Sequence, residues 1–265
     1  MIELSGIKKI FNAGTVNEKI AINDLNLKIE KGDFVTVIGS NGAGKSTMLS
    51  ILAGFQNPDG GKILFDGNDI TKVPEYKRAE YIGVVFQDPL SGTAKSLSIE
   101  ENMAIASKRG VKRWFRKGVT AKKREDFKER LKQLGLGLED RLKTNAGLLS
   151  GGQRQSLTLL MAAMANPQIL LLDEHTAALD PRTAALVMEL TDKIIREMGL
   201  TAMMVTHNMK QAIDYGNRII MMHEGEIVLD IKGKDKEGLT IPDLLGMFEK
   251  VRGVGIADDK LLLSK

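Results

Sequence analysis

The chain has no cysteine, one tryptophan and three tyrosines among its 265 residues. Without cysteine it can form neither disulfide bonds nor thiolate metal sites, which fits a reducing compartment. No apolar run approaches the roughly 18 residues of a membrane-spanning helix. The first ten residues, MIELSGIKKI, lack the apolar core of a signal peptide. We therefore expect a cytoplasmic protein that reaches a membrane only through partners.

Positive charge is concentrated in one part of the chain, although the net charge is only +4. In residues 108–132, called the basic segment below, twelve of 25 residues are Lys or Arg and three are acidic. The simplest interpretation is a solvated helical surface. Binding to an anionic membrane or to nucleic acid is the alternative. The segment has only three aromatic residues, Trp114, Phe115 and Phe127, which is a small number for a surface that stacks on bases.

Apolar, β-rich runs alternate with helical periodicity along most of the chain. Strands are predicted at residues 34–39, 63–70 (with a turn at Asp66-Gly67), 81–86, 169–173, 201–206 and 218–223, the last forming a hairpin through Glu224-Gly225. Helices are predicted at residues 45–54, 181–200 and 241–250. This alternation predicts a parallel, buried sheet with ligands at the carboxyl ends of its strands. From Ile99 to Ala165 the pattern is helical, so we expect an inserted helical subdomain there.

Residues 39–46, GSNGAGKS, fit the phosphate-binding pattern G-x-x-x-x-G-K-[ST] and stand between a predicted strand and a predicted helix. The glycines let the backbone wrap a phosphate, and the following helix adds its dipole. The lysine would reach the β- and γ-phosphates, and the serine hydroxyl would ligate Mg²⁺. The residues expected to bind the nucleotide are Gly39, Ser40, Asn41, Gly42, Ala43, Gly44, Lys45, Ser46 and Thr47. The chain is therefore predicted to bind a nucleoside triphosphate.

An Asp-Glu pair ends the apolar run ILLLDE at Asp173 and Glu174. A carboxylate at the end of a buried strand in a P-loop protein can hold Mg²⁺, and we assign that role to Asp173. Glu174 is then placed to act as general base toward an attacking water.

The segment LLSGGQRQ, residues 148–155, has Ser150 and Gln153 at the spacing of a capping box. An amphipathic helix is predicted to follow it and to stop at Asn166-Pro167. Gly151 and Gly152 would leave the helix N-terminus bare, so that it can approach a phosphate closely.

Together these motifs resemble the ATP-binding subunit of an ATP-binding-cassette (ABC) transporter. The family's marks occur in its order across residues 11–207: the P-loop, a glutamine after a strand (Gln87), LSGGQ, the Asp-Glu pair, ALD at 178–180 and a histidine after a strand (His207). The resemblance implies a P-loop NTPase fold of α/β class, with a RecA-like core, an N-terminal antiparallel β subdomain and the inserted helical subdomain. It implies one ATPase domain at 1–230, with its core at 1–90 and 160–230, the helical subdomain at about 91–160, and a C-terminal extension at 231–265.

The resemblance also assigns roles to individual residues. Gln87 would sense Mg²⁺ and the attacking water, and would link the site to the membrane partner. His207 would contact the γ-phosphate and Phe11 would stack on adenine, where the family more often has tyrosine. Ser150, Gly151, Gly152, Gln153 and Asp180 would act across a head-to-tail dimer, where LSGGQ of one chain closes the P-loop site of the other.

Since the chain has one copy of each motif, the resemblance implies a second cassette, identical or related, as a partner. Transmembrane permease subunits, and indirectly a substrate-binding protein, would complete a transporter at the cytoplasmic face of the membrane. The sequences of residues 39–47 and 87–94 most resemble those of ATPases from bacterial amino-acid-type importers. In such a transporter no residue of this chain would touch the transported solute. The alternative is a non-transport ABC ATPase that acts on nucleic acid or ribosomes, for which the basic segment is the main argument.

His175 directly follows the carboxylate pair, where the family usually has proline. No second histidine or cysteine stands at metal-ligand spacing from it. We expect it to fill the turn, with tuning of Glu174 or of the dimer contact as the alternative.

Overall fold

The computed structural model describes residues 1–110 and 118–252. Within these ranges the strands are β1 (Ile2–Phe11), β2 (Lys19–Ile29), β3 (Phe34–Gly39), β4 (Gly60–Phe65), β5 (Asn68–Asp69), β6 (Ile82–Val85), β7 (Ile169–Asp173), β8 (Thr201–Val205), β9 (Arg218–His223) and β10 (Glu226–Lys232). The helices are α1 (Lys45–Ala53), α2 (Glu75–Arg78), α3 (Ile99–Ala106), α4 (Ala121–Lys132), α5 (Gly151–Ala163), α6 (Pro181–Met198), α7 (Met209–Asp214) and α8 (Ile241–Arg252). None of these helices is both long enough and apolar enough to cross a bilayer.

The chain forms two compact units. The first comprises Met1–Arg78 and the described residues from Thr201 onward, and the second comprises the described residues of Ala79–Leu200.

The first unit contains an antiparallel sheet and a mainly parallel one. Strands β2, β1, β4 and β5 form the antiparallel sheet in that order, as expected for the N-terminal part. Strand β3 lies between β8 and β9 and is parallel to both, and all six of its residues are buried. Strand β10 pairs antiparallel with β9, and His223 faces Glu226 across the predicted Glu224-Gly225 turn. That hairpin prediction is confirmed.

Helix α1 is anchored at its C-terminal end by a buried arginine. Gly54 ends the helix in the left-handed conformation, as the sequence predicts. Arg78 is fully buried, and its guanidinium donates to the carbonyl oxygens of Ile51, Leu52, Ile70, Thr71 and Val73. Because Ile51 and Leu52 lie in the last turn of α1, Arg78 supplies donors to carbonyls at the end of the helix, where the regular helical donors run out.

The predicted C-terminal helix is present as α8 and ends two residues later than expected, at Arg252. Its Leu244 and Phe248 are buried in a cluster with Ile38 of β3 and Met221 of β9. The rest of the predicted extension, residues 253–265, lies outside the described residues.

The second unit combines two parallel strands with the helical block. Strands β6 and β7 pair in parallel, with Val85 opposite Leu172. Helices α3, α4 and α5 share a core that includes Met103, Phe127 and Leu157. This arrangement confirms the helical character predicted from Ile99 onward.

Ion pairs neutralise much of the described part of the basic segment. Residues 111–117, including Trp114 and Phe115, lie outside the described residues. On α4 the three acidic residues pair with Lys128, Arg130 and Lys132 at helical spacing. Arg124 donates two hydrogen bonds to Glu100, at 2.6 and 2.9 Å. These pairs favour a solvated helical surface over a free cationic surface.

Candidate active site

The phosphate-binding loop connects β3 to α1, and two of its glycines are required by close backbone contacts. Gly39 has φ +148° and a Cβ there would lie 2.1 Å from the carbonyl oxygen of Met222. Gly44 has φ +99° and a Cβ there would lie 2.5 Å from the carbonyl oxygen of Ala21. Any side chain at these positions would therefore push the loop away from the strands that support it.

The side chain of Lys45 is turned into the loop. Its ammonium donates to the carbonyl oxygens of Gly39 at 2.7 Å and of Ser40 at 2.9 Å, and the residue is buried. The positive charge and the N-terminus of α1 thus act at the same place, which suits an anion. Around Lys45, the predicted nucleotide-binding residues Asn41, Gly42 and Ser46 are exposed, Ser40 and Thr47 are partly exposed, and Ala43 and Gly44 are buried.

The β9–β10 hairpin supports the loop from outside. The N–H of Gly225 donates to the carbonyl oxygen of Ala43 at 3.1 Å, and the carbonyl oxygen of Gly225 accepts from Asn23 N–H at 3.0 Å. The Glu224-Gly225 turn of the hairpin therefore holds the middle of the phosphate-binding loop in place. Sequence reasoning found the hairpin and the loop but not this contact.

His207 follows β8 in the same unit as the loop. The preceding residue, Thr206, donates its N–H to Val37 of β3 at 3.1 Å and its hydroxyl to Gln211 at 2.7 Å. The N–H of Asn208 donates to the Thr206 hydroxyl at 3.1 Å. These bonds fix the backbone on both sides of His207, whose side chain is partly exposed.

Phe11, the predicted adenine-stacking residue, is the last residue of β1 and is partly exposed. It pairs with Lys19 of β2, and the Lys9 ammonium lies 5.7 Å from the centre of its ring. A partly exposed aromatic ring with a cation beside it is compatible with stacking on a base.

Glu174 and Gln87 meet in the second unit. The neighbouring parallel strands β6 and β7 end together, which brings the residues after them to one edge. The side-chain N–H of Gln87 donates to Glu174 Oε2 at 3.2 Å. Glu174 has φ +43°, and its carbonyl oxygen accepts from Ala177 N–H at 2.9 Å. The glutamate therefore stands on a tight left-handed turn directly after Asp173.

His175 is buried, with 1% of its surface exposed. Its Nε2 lies 3.0 Å from the hydroxyl oxygen of Thr191 on α6, which is itself fully buried. Burial lowers the pKa of His175 to about 4, so the ring is neutral at neutral pH. The prediction of a residue that fills the turn did not anticipate this contact with a helix.

The LSGGQ segment begins α5 with the predicted capping box. Ser150 Oγ accepts from Gln153 N–H, and the Gln153 side-chain oxygen accepts from Ser150 N–H. Asp180 caps α6 by accepting from Thr183 N–H at 3.1 Å. Hydrogen bonds from the hydroxyl and backbone N–H of Thr183 hold the pKa of Asp180 below its usual value. Pro181 occupies the first position of α6, as predicted.

Gly152 is a packing position as well as part of the helix start. A Cβ at Gly152 would lie 2.1 Å from Thr183 Cγ2, whereas a Cβ at Gly151 would lie 3.2 Å from the end of the Leu179 side chain. The absence of a side chain at Gly152 therefore lets the start of α5 pack against the start of α6.

We expect Gly152→Ala to lower the free energy of unfolding by about 1–3 kcal/mol, as overpacking does. Gly151→Ala is the matched control and should cost under about 1 kcal/mol, because the flexible Leu179 can move. Chemical unfolding of both variants measures the difference. Equal losses would contradict the packing account.

The residues predicted to hold Mg²⁺ are suitable in their chemistry. Ser46 offers a hydroxyl, Asp173 a carboxylate and Gln87 an amide oxygen, and Mg²⁺ prefers oxygen ligands. Since the Gln87 amide nitrogen donates to Glu174, the oxygen is the atom of that amide suited to a cation. Among the described residues, no three His, Asp or Glu side chains form a cluster able to hold a metal by themselves.

A family model described as ABC transporter matches residues 22–177, more than half of the chain. The chain belongs to the ABC transporter family. It is 45% identical over 249 residues to the tyrosine transport ATP-binding protein of Clostridioides difficile, a match that covers 94% of this chain and 99% of that protein. It is 36% identical over 234 residues to the spermidine/putrescine import ATP-binding protein PotA of Haemophilus influenzae, and covers 57% of that protein.

Solved ABC cassettes have the same fold. A dimeric ATP-binding cassette in a post-hydrolysis state, bound to ADP and Pi, aligns with a TM-score of 0.73 at 31% identity, over 88% of this chain and 98% of that one. The cassette named cbiO1 from Clostridium perfringens, part of the ABC transporter complex cbiONQ, aligns with a TM-score of 0.73 at 25% identity, over 94% of this chain and 94% of that one. The predicted cassette fold is thus confirmed, and the chain is an ATP-hydrolysing cassette of this family.

Proposed function

We propose that this chain is the ATPase subunit of an importer of amino acids or similar small solutes. The observation that carries the proposal is the end-to-end likeness to the tyrosine transport ATP-binding protein, since 99% of that protein is matched. The match to PotA, by contrast, leaves over two fifths of that protein uncovered. Tyrosine or another aromatic amino acid is therefore the first solute to test.

In the proposed reaction the phosphate-binding loop holds the triphosphate. Lys45 stabilises the β- and γ-phosphates, and Phe11 stacks on the adenine. Ser46, Asp173 and Gln87 would hold magnesium, which when bound neutralises charge on the phosphates. The hydrogen bond that Gln87 donates to Glu174 supports a place for Gln87 in the active site, because it orients the proposed base.

Glu174 accepts a proton from the water whose oxygen bonds to the γ-phosphorus. The bond between that phosphorus and the β-phosphate oxygen breaks, and the products are ADP and inorganic phosphate. His207 contacts the γ-phosphate. The backbone bonds on both sides of His207 support this role, because they restrict where the imidazole can point.

A second cassette completes the cycle in this proposal. The capped start of α5, with Ser150, Gly151, Gly152 and Gln153, faces the triphosphate of the partner, and Asp180 lies at the shared surface. Binding of ATP closes the pair and hydrolysis releases it. The dimeric state in which a related cassette was solved supports this scheme.

Transmembrane permease subunits would receive this motion, and a substrate-binding protein would deliver the solute to them. The cassette would lie at the cytoplasmic face of the membrane. We propose the helical subdomain, at about residues 91–160, as the part that faces the permease, and residues 231–265 as an extension of the ATPase domain 1–230.

The alternative is an ABC ATPase that acts on nucleic acid. Its main argument, the basic segment, is weakened by the ion pairs on α4 and by the bond of Arg124 to Glu100.

Reconstitution tests the transport proposal. A candidate permease is co-expressed with this chain, and the purified complex is placed in liposomes with ATP on the cassette side. We expect ATP-dependent uptake of labelled tyrosine or another amino acid, and no uptake with Glu174→Gln. Failure to co-purify with a permease, together with salt-sensitive DNA or RNA binding that stimulates ATP hydrolysis, would favour the alternative.

A further inference from the structure

The turn between β7 and α6 holds Glu174 in an unfavourable backbone conformation. Its φ of +43° lies in the left-handed region, which residues other than glycine disfavour. Such a conformation persists where surrounding contacts enforce it.

Two side chains of the turn reach α6. At its end, Asp180 accepts from Thr183 N–H in the first turn of the helix. At its start, His175 contacts Thr191, about two helical turns beyond Thr183. The turn is thus attached to the helix at both of its ends, and the first attachment is the residue after Glu174.

The hydrogen bond between His175 and Thr191 has a defined direction. The Thr191 hydroxyl donates its proton to the carbonyl oxygen of Val187 at 2.7 Å, so its oxygen accepts from His175 Nε2–H at 3.0 Å. Both residues are buried, with exposures of 1% and 0%. Removing the Thr191 hydroxyl would take away the acceptor of the buried His175 Nε2–H, so this bond favours a single orientation of the ring.

We propose that the His175–Thr191 hydrogen bond positions Glu174 for catalysis. His175 is a positioning residue: its ring, fixed on α6, sets the backbone of the turn and thereby the direction of the neighbouring carboxylate. This inference rests on the proposed function, in which Glu174 is the general base.

The first test replaces Thr191, which is 16 residues from His175 in sequence and belongs to no nucleotide-binding motif. Thr191→Val keeps the shape of the side chain and removes the acceptor. We expect kcat for ATP hydrolysis to fall roughly tenfold or more, because small misplacements of a catalytic group are costly. KM for ATP should stay within about twofold, since the phosphate-binding loop is untouched. Thr191→Ser, which keeps the hydroxyl, should restore kcat.

Thr158 on α5 provides a matched control. It is also buried, and its hydroxyl donates to the carbonyl oxygen four residues earlier, that of Arg154, at 3.0 Å. Thr158→Val therefore loses the same kind of hydroxyl-to-carbonyl bond within a helix as Thr191→Val, but it loses no hydrogen bond to a histidine. Its kcat should remain at the wild-type value.

A second pair of variants covers the case in which Thr191→Val does not fold. His175→Leu removes the donor at similar volume, and His175→Gln keeps a side-chain N–H. We expect the leucine variant to lose kcat and the glutamine variant to stay within about threefold of wild type. Combined with Thr191→Val, His175→Leu should lower kcat no further than either change alone, because both remove one shared bond.

Glu174→Gln separates this inference from the function on which it rests. Retained turnover in that variant would remove Glu174 as the base and the positioning role with it. If Glu174→Gln is inactive while Thr191→Val and His175→Leu hydrolyse ATP like Thr158→Val, only the positioning role is overturned.

Discussion

Replacing Glu174 by glutamine should abolish ATP turnover while leaving ATP binding intact. An amide of the same shape cannot accept the proton of the attacking water, so we expect kcat to fall by about 10²–10⁴. The amide oxygen can still accept from Gln87, which donates to Glu174 at 3.2 Å, so the turn should keep its structure. Phosphate release measures turnover, and nucleotide titration measures binding.

The same variant should accumulate as an ATP-bound dimer, because the step that reopens the pair is blocked. Size-exclusion chromatography with and without ATP detects this change. Glu189→Gln is the control: it removes the same charge from an exposed position on α6 and should behave like wild type. Normal turnover by Glu174→Gln would refute the assignment of the base.

Removing the charge of Lys45 should weaken ATP binding about 10²-fold or more. The ammonium is buried in the loop and would make charge-assisted hydrogen bonds to the phosphates, each worth roughly 1.5–3 kcal/mol. Lys45→Ala also removes the bonds to the carbonyl oxygens of Gly39 and Ser40, so part of the loss would come from the shape of the loop.

Lys45→Met separates charge from packing, because it keeps most of the side-chain length. We expect nearly the same loss of affinity as in Lys45→Ala, with a smaller change in the unfolding midpoint. Lys31→Ala, at an exposed lysine before β3, is the control for net charge. ATP affinity that is unchanged in both Lys45 variants would undo the assignment of the phosphate-binding loop.

Features set by neighbouring residues could be predicted from the sequence. The cap of Ser150 with Gln153, the start of α6 at Asp180 and Pro181, and the Glu224-Gly225 turn all follow from residues within a few positions of one another. The bounds of β7 and β9 match the apolar runs, because those runs are flanked by turn or polar residues.

Features set by distant residues could not be predicted. Gln87 and Glu174 are 87 positions apart, and only the pairing of β6 with β7 brings them together. The packing of Gly152 on Thr183 and the bond of His175 to Thr191 depend in the same way on how helices lie in the fold. A lone histidine after a carboxylate pair carries no local signal of a helix partner.

The contacts that support the phosphate-binding loop determine when the loop can form during synthesis of the chain. Strand β3 pairs with β8 and β9, and Ala43 accepts from Gly225, so these partners of the early segment all lie at or after Thr201 in the chain. A chain that emerges from the ribosome N-terminus first would carry an unshaped GSNGAGKS loop until most of its length is made. Nucleotide binding at this loop would then begin only when the cassette is nearly complete.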